Sequence, residues 1–249
     1  MKHLAVAAAV LFVLAAYFAG GAFSSRTIII KNSTQSILYE PYNISEDGSA
    51  ASVIVPAVDE SGNGVPTMLT VQYIAGSGKL LVSIERLIFW TDTQDSIRSA
   101  RDAAQNYLGM DLSSHDLIYM IRANATVIEG PSAGAALAVA TIGAATGRQP
   151  NLSVMMTGTI RPDGSIGPIG EPFAKAKAAK QIGASLFLVP KGQSIETKYQ
   201  SEEVCRNFGA SRICSVESVP YQINVSNESG ISVVEVGRID EAARLFGLS

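Results

Sequence analysis

One serine, Ser132, has surroundings that could support covalent chemistry. It stands in Gly130-Pro131-Ser132-Ala133-Gly134, directly before an apolar segment that is long enough for a buried helix and that ends at Gly147. A serine in this place commonly caps a helix. The same place offers unpaired backbone N–H groups and the positive end of the helix dipole, which can stabilise an oxyanion. Ser132 is therefore either a cap or a nucleophile, and a nucleophilic serine needs a nearby base.

Histidine is a poor candidate for that base. The chain contains two histidines, His3 and His115. Two are too few for a histidine-based metal centre, and they leave little material for a Ser-His-Asp triad. A desolvated lysine is the alternative base for a serine nucleophile.

Lys175 has the spacing expected of a desolvated lysine. A helix is predicted to open after Glu171-Pro172, because proline suits the first helical position. Lys175 shares the apolar face of this helix with Ala178, Ala179 and Ile182, at the spacing i, i+3, i+4 and i+7. Burial disfavours the ammonium form and lowers the pKa of lysine, which would make Lys175 a usable base near neutral pH. The alternative is a lysine whose methylene groups cover the core while its amine stays in water.

Several short motifs surround these two residues along the chain. They are Gly130-Pro131-Ser132-Ala133-Gly134, Met156-Thr157-Gly158, Gly164-Ser165-Ile166-Gly167-Pro168-Ile169-Gly170, Lys175 with Ala178-Ala179, and the terminal Val233-Val234-Glu235-Val236 and Ile239-Asp240-Glu241-Ala242. Taken together they resemble the proteolytic domain of the Lon proteases, and the spacing of 43 residues between Ser132 and Lys175 matches that of the family. The resemblance covers residues 50–249 and is weakest over 195–230.

The resemblance implies a peptidase with a Ser-Lys dyad and no cofactor. Ser132 would be the nucleophile and Lys175 the base, and Thr157 would help to hold the lysine. Glu129 stands where the family usually has an aspartate. From the residues alone, Thr157 is equally a structural turn residue and Glu129 an ordinary turn acid. Because Lon-type domains often assemble as rings, the resemblance also raises the expectation of a homo-oligomeric ring.

Departures from the family pattern limit what the resemblance implies about substrate and energy source. Glu171 replaces the second glycine of a common Gly-Gly, and Thr159 replaces a glutamate. The phosphate-loop pattern Gly-x-x-x-x-Gly-Lys-Ser/Thr is absent from the sequence, since Gly76-Ser77-Gly78-Lys79 is followed by Leu80 and lacks the leading glycine. We therefore expect no ATPase module, and peptide hydrolysis that is independent of ATP.

The apolar pattern predicts mixed strands and helices. This order of elements indicates an α/β (α+β) domain over 51–249, with Lon-like mixed sheets, packed helices and a polar insertion at 191–230. The residues Gly76-Ser77-Gly78 are expected to form a hairpin turn between the second and third strands. Strands are predicted at 52–58, 68–75, 79–90, 117–123, 153–157, 164–169, 185–189 and 231–236, and helices at 95–108, within 130–147, after Pro172 and at 240–246.

The N-terminus predicts contact with a membrane. Leu4–Phe23 is a run of 20 uncharged, mostly apolar residues, which as a helix would span about 30 Å and could cross a bilayer core. An uncleaved anchor is favoured over a signal peptide cleaved near Ala19–Ala22, because the run is longer than a usual signal core. A buried soluble helix is the third alternative. Residues 26–50 are polar and are interpreted as a stalk.

Sequons and cysteines indicate the side of the membrane. Cys205 and Cys214 lie in a polar segment with eight residues between them, so they could close a small disulfide-bonded loop, although two unrelated thiols are the alternative. We expect a glycoprotein whose catalytic domain lies outside the cytoplasm, either anchored or secreted. Six of the nine asparagines stand in the N-glycosylation pattern Asn-x-Ser/Thr: Asn32, Asn43, Asn124, Asn151, Asn224 and Asn227.

Composition narrows the remaining function classes. Apolar residues make up 47% and charged residues 16% of the chain, which excludes general disorder, and a net charge of −3 gives no electrostatic reason to expect a nucleic-acid partner. The resemblance, with the missing phosphate loop, implies an ATP-independent serine endopeptidase that acts on unfolded or flexible polypeptides. The alternatives are a protease that cuts its own chain within 26–50, and a non-catalytic Lon-like scaffold that binds peptides or a membrane partner.

Overall fold

Short strands of β-branched and other apolar residues supply the sheets of the protein. A computed structural model describes residues 48–58, 64–83, 88–89, 91–123, 127–128, 131–209 and 211–248. Within these residues the strands are β1 (Gly48–Val58), β2 (Gly64–Ala75), β3 (Leu80–Ser83), β4 (Ile88–Phe89), β5 (His115–Ala123), β6 (Val127–Ile128), β7 (Val154–Met156), β8 (Thr159–Ile160), β9 (Ile166–Gly167), β10 (Leu186–Pro190), β11 (Ile195–Phe208), β12 (Ser211–Asn224) and β13 (Ser232–Val236).

The helices confirm the predicted mixture of elements. A 3-10 turn at Pro131–Ala133 leads directly into the second of them. The predicted α/β class with several sheets and packed helices is therefore confirmed. The helices in the described ranges are α1 (Thr91–Leu108), α2 (Gly134–Thr146), α3 (Pro172–Ile182), α4 (Val225–Ser229) and α5 (Ile239–Leu245).

The main sheet has the strand order β1-β2-β5-β3. Val53 pairs with Leu69, and Leu69 pairs with Ile121, so these side chains lie on one face. This face packs against α2, in which every residue from Gly134 to Ala144 is buried. The uniformly apolar sequence of α2 is explained by this burial, since a helix covered on all sides has no polar stripe.

A parallel three-stranded sheet lies beside the main sheet, in the order β13-β10-β7. Met156, the last residue of β7, pairs with Leu188 of β10. The chain between these two strands forms α3, which packs against β1 and β2 of the main sheet. The two sheets therefore fix the positions of both the end of β7 and the start of α3.

Two predictions about the chain between β2 and α1 are wrong. The predicted hairpin does not form, because β5 lies between β2 and β3 and runs parallel to β3. The turn at Gly76-Ser77-Gly78 is held instead by Asp116 of β5, whose Oδ1 accepts the N–H groups of Ser77 at 2.7 Å and Lys79 at 2.9 Å. The run 79–90 is also not one strand, since β3 and β4 belong to different sheets.

The predicted polar insertion is an antiparallel ribbon, which we call the arm (residues 195–224, strands β11 and β12). Each strand has 14 residues and pairs along its full length with the other. Large apolar side chains are exposed on it, including Tyr199 at 68% and Val216 at 74%. Cys205 pairs directly with Cys214, and the predicted disulfide between them is present.

Several segments for which the sequence makes predictions lie outside the described ranges. These are the apolar segment Leu4–Phe23, most of the polar stalk 26–50, Glu129, and the sequons at Asn32, Asn43 and Asn124. In the part of the chain that the structure describes, no helix has the length and apolar character needed to cross a membrane. The main sheet begins at Gly48, three residues before the predicted domain boundary at residue 51.

Candidate active site

Ser132 lies in the middle of the 3-10 turn that precedes α2, and it is half-buried. The cap of α2 is Ala133, whose backbone is already helical and which provides no side-chain hydrogen bond. The sequence left open whether Ser132 caps this helix. In the structure the cap position belongs to Ala133, one residue after Ser132.

Thr157 and Gly158 hold the backbone of Ser132. The N–H of Thr157 extends the parallel ladder by donating to the carbonyl of Leu188 at 3.0 Å. The Ser132 carbonyl then accepts two hydrogen bonds, from Thr157 Oγ1 at 3.2 Å and from the Gly158 N–H at 2.8 Å. Ala135 completes the link by donating its N–H to the Gly158 carbonyl at 3.0 Å. Three hydrogen bonds thus join the segment around Ser132 to Thr157 and Gly158.

The glycines of these two motifs allow a close approach of the backbone. A Cβ at Gly134 would lie 2.9 Å from Ile160 Cγ2 and 3.2 Å from the Ile160 nitrogen. At Gly158 it would lie 2.7 Å from Ile166 Cγ2. A Cβ atom at either position would force its neighbour to shift, so glycine allows the turn around Ser132 to lie this close to strands β8 and β9.

Lys175 lies in the first half of α3, on the face predicted from the sequence. Ala178, Ala179 and Ile182 of the same face are buried, while Lys177 is exposed. Lys175 itself is half-buried, and this desolvation lowers the pKa of its amine. The carboxylate of Glu171 acts in the opposite direction and partly restores the charged form.

The start of α3 has an unusual backbone. Glu171, the residue before Pro172, has φ 57° and ψ 50°, and of the described residues it alone has a positive φ without being glycine. A left-handed residue costs roughly 1–2 kcal/mol unless it is glycine. Glycine would adopt this backbone without that cost, whereas Glu171 places a negative charge near Lys175.

The structure brings some of the predicted site residues together. Ser132 and Thr157 are in direct contact, and the hydroxyl of Thr157 binds the serine backbone. Among the hydrogen bonds between described residues, none joins the Ser132 hydroxyl to the Lys175 amine. Such bonds are often long before substrate binds. Glu129 lies outside the described residues.

Sequence analysis missed the segment that follows β10. Its Gln193 and Glu196 bind the backbone just before and at the start of α3. The one signal in the sequence that could have indicated these two residues is their position, shortly after a predicted strand and at the start of the predicted polar insertion.

A cluster of metal-ligating atoms occurs on the arm and has a simple explanation. Glu203, Cys205 and Cys214 are the one such group within the described ranges. Both sulfur atoms are joined in the disulfide. A metal would need them as thiolates, so the closed bridge removes this ligand set.

Comparisons with known proteins agree with this arrangement. Residues 93–222 match the Lon protease (S16) C-terminal proteolytic domain. Lon protease 1 of Thermus thermophilus is 31% identical over 154 residues, 57% of this chain and 18% of the relative. Lon protease of Haemophilus influenzae is 27% identical over 188 residues (74% and 23%), and the archaeal Lon protease of Thermococcus kodakarensis is 28% identical over 158 residues (60% and 24%). The chain thus spans about a fifth of the length of these relatives.

Proposed function

We propose that this chain, which belongs to the family of Lon protease (S16) C-terminal proteolytic domains, is a serine peptidase with Ser132 as nucleophile and Lys175 as base. The observation that carries the proposal is the burial of Lys175. An exposed lysine is protonated at neutral pH and cannot accept a proton, whereas desolvation increases the neutral fraction. Ser132, the proposed nucleophile, stands in the Gly-Pro-Ser-Ala-Gly motif, one residue before the cap of α2.

The reaction follows from the two side chains. Ser132 Oγ attacks the carbonyl carbon of the peptide while neutral Lys175 Nζ takes the hydroxyl proton. The C–N bond of the tetrahedral intermediate then breaks, and the ammonium of Lys175 returns the proton to the leaving amine. Water then attacks the acyl carbon of the acyl-enzyme while neutral Lys175 Nζ takes its proton. The ester C–O bond breaks, the acid leaves, and the ammonium of Lys175 returns the proton to Ser132 Oγ. Atoms and charges balance over the cycle without a cofactor.

The oxyanion would be held by backbone N–H groups at the beginning of α2. The N–H of Ala135 already donates to Gly158, which leaves the groups of the turn around Ser132 as the donors for the developing charge. Thr157 and Gly158 fix the carbonyl of Ser132, so that turn is set in place before substrate arrives. Thr157 is therefore a residue that positions the nucleophile.

The substrates we propose are unfolded or flexible polypeptides, cleaved without ATP. No phosphate-loop sequence occurs in the 249 residues. Without coupled unfolding, a peptide bond must already be flexible to reach Ser132. We also propose that the domains assemble as a homo-oligomeric ring, as the resemblance leads us to expect.

The location we propose is outside the cytoplasm, anchored or secreted through the apolar N-terminal segment. The disulfide supports this location, since such bridges persist in oxidising compartments. The three sequon asparagines in described ranges, Asn151, Asn224 and Asn227, are all exposed. They are accessible to a glycosylating enzyme, and we propose that the protein is a glycoprotein.

The test compares the full-length protein with Ser132→Ala, Lys175→Ala and Lys177→Ala on an unfolded protein substrate, with and without ATP. Lys177 is the matched control, because it is an exposed lysine on the same helix. The parent and Lys177→Ala should cut equally well without ATP, and the two dyad variants should lose at least about 10³-fold in rate. A fluorophosphonate probe should label Ser132 in the parent.

Each of the other outcomes contradicts part of the proposal. A folded parent that neither cuts nor accepts the probe would favour a peptide-binding scaffold. Cleavage confined to its own residues 26–50 would indicate self-processing. Equal activity in Lys175→Ala would exclude the lysine as base.

A further inference from the structure

The start of α3 lacks the usual means of satisfying its N–H groups. Pro172 has no N–H, and the capping residue Glu171 makes no side-chain hydrogen bond. The first helical donor that needs a partner is therefore the N–H of Phe173, two residues before Lys175. An unsatisfied donor here would allow the first turn to fray, and Lys175 lies at the end of that turn.

A carboxylate from another element takes this donor. The Phe173 N–H donates to Glu196 Oε2 at 2.8 Å. The side chain of Glu196, at the base of the arm, is only 14% exposed. Its other oxygen lies 3.8 Å from Lys198 Nζ, and the same amine lies 5.2 Å from the centre of the Phe173 ring. Glu196 thus caps α3 from a distance of 23 residues in sequence.

Gln193 holds the chain just before the helix. Its Oε1 accepts the N–H of Ile169 at 3.0 Å, and its Nε2 donates to the carbonyl of Ile169 at 2.7 Å. Both backbone groups of Ile169 are therefore bound by one side chain, as they would be by a neighbouring strand. The chain is thus held before Glu171, at Ile169, and after it, at Phe173.

The segment that supplies these two side chains is itself anchored. The N–H of Ser194 donates to Glu235 Oε1 at 2.8 Å, and the carbonyl of Ser194 accepts the N–H of Val225 at 2.9 Å. Hydrogen bonds of Glu235 to this segment lower the pKa of its carboxyl. The base of the arm is thus tied to β13 and α4, and it can act as a fixed support.

We infer that Gln193 and Glu196 are positioning residues that hold the first turn of α3 and thereby fix the place of Lys175. The inference rests on the proposed role of Lys175 as base. Neither residue touches the reacting atoms. They act through the backbone of Ile169 and Phe173, and their removal would allow the helix start to move and water to reach the lysine amine.

The charges around Lys175 limit what else could alter its protonation. α3 packs against β1, β2, β10 and α4, and β11 places Glu196 and Lys198 at its first turn. The strands β1, β2 and β10 contain no charged residue, and α4 contributes the exposed Glu228. Burial is the larger influence on the pKa of Lys175, and the carboxylate of Glu171 opposes it. Because Glu196 is itself charged, Glu196→Gln and Gln193→Ala separate the effect of charge from that of solvent access.

The test measures protonation of Lys175 directly. The full-length protein is labelled with lysine carrying ¹³C at Cε, and the titrating signal of Lys175 is identified among the eight lysines by Lys175→Arg. In Glu196→Ala and Gln193→Ala the pKa of Lys175 should move up towards that of an ordinary lysine, because burial of the amine is reduced. Glu196→Gln keeps a carbonyl oxygen for Phe173 and should leave the titration of the lysine unchanged.

Kinetics provide the second readout. Glu196→Ala should lose about tenfold or more in kcat with a smaller change in KM, since misplacement of a catalytic group affects the chemical step. The rising limb of its pH profile should move to higher pH, while Glu196→Gln retains most of the activity. Glu202→Ala is the matched control, because Glu202 is an exposed glutamate on the same strand whose side chain accepts a hydrogen bond from Gln200.

The two readouts separate this inference from the proposed function. A parent without peptidase activity would contradict the function, yet the titration of Lys175 would still test the positioning. An unchanged titration in folded Glu196→Ala and Gln193→Ala would overturn the inference. If Glu196→Ala does not fold, the result of Gln193→Ala alone decides.

Discussion

The balance of two opposing influences on one amine sets the pH range of the proposed reaction. Desolvation lowers the pKa of Lys175 and the carboxylate of Glu171 raises it, with desolvation the larger of the two. Because the base must be neutral to accept a proton, the rate should rise with pH as Lys175 loses its proton. The charge of Glu171 therefore moves this rising limb towards higher pH.

Replacing that charge gives a prediction with a definite sign. In Glu171→Gln the side chain keeps its shape but no longer favours the ammonium, so the pKa of Lys175 should fall further. The rising limb of kcat against pH should then move to lower pH. The measurement is a pH profile at low and at high salt, since screening should reduce the difference between variant and parent.

Glu228→Gln is the control for this change, because it removes a carboxylate from α4, which also packs against α3. Its profile should match that of the parent. A limb that does not move in Glu171→Gln at low salt, or that moves to higher pH, would show that Glu171 does not stabilise the charged lysine.

Periodicity and motif spacing single out Ser132 and Lys175 as candidates, but they do not indicate which residues hold them. The helical spacing of Lys175 with Ala178 and Ile182 is local, and the structure confirms the buried face. Glu196 binds Phe173 across 23 residues, and Thr157 binds Ser132 across 25. Contacts of this range depend on how strands are ordered, which a single sequence does not encode locally.

At the scale of elements, strand order also explains why the hairpin predicted between β2 and β3 does not form. The turn predicted at Gly76-Ser77-Gly78 is present, and Asp116 holds it. The sequence pattern of a turn does not say which strand will lie beside the next one. β5 lies between β2 and β3, where its apolar side chains pack in the core beside Leu69 and Val71 of β2. The choice of neighbouring strand therefore depends on packing and not on the turn.

The contact between the start of α2 and β8 supports a prediction about stability. In Gly134→Ala the new methyl group would lie 2.9 Å from Ile160 Cγ2 and close to the Ile160 nitrogen, so the helix start or the strand must shift. The expected loss of unfolding free energy is about 1–3 kcal/mol. Thermal unfolding should show a fall in Tm of about 2–4 °C for each kcal/mol.

Gly170→Ala is the matched control, since no atom lies within 4 Å of a Cβ built there. It should leave Tm within the error of the measurement. Peptidase activity of Gly134→Ala should fall as well, because Ser132 is in the turn that must move. An unchanged Tm in Gly134→Ala would mean that α2 and β8 approach each other less closely than described.

At the scale of the whole molecule, the domain divides into a packed body and an arm that packs mainly on itself. The core cluster contains residues of the main sheet, α1, α2 and α5, but none of β11 or β12. Isolated two-stranded ribbons are marginal in water. The disulfide near the tip is the feature that supports pairing there, while the base is held by its contacts with α3, α4 and β13.

This division predicts a local effect of losing the disulfide. In Cys205→Ser/Cys214→Ser the bridge no longer restricts the open arm, which removes about 2–3 kcal/mol of stabilisation. Trypsin should cut at the exposed Arg206 and Arg212 about tenfold faster or more, because local opening becomes more frequent. The Tm of the body should change little, since no arm residue belongs to its core.

The control is Ser201→Ala/Ser218→Ala, an exposed pair of residues that face each other on the same ribbon. It should leave both the cleavage rate and Tm unchanged. Using the Ser132→Ala background removes self-digestion from the measurement. Equal resistance to trypsin without the bridge would show that strand pairing alone keeps the tip closed, and a large fall in Tm would show that the arm and the body unfold together. We expect the tip and the body to behave separately because, among the described residues, the tip belongs to the pairing of β11 with β12, whereas the base of the arm is bound to the helix that carries Lys175.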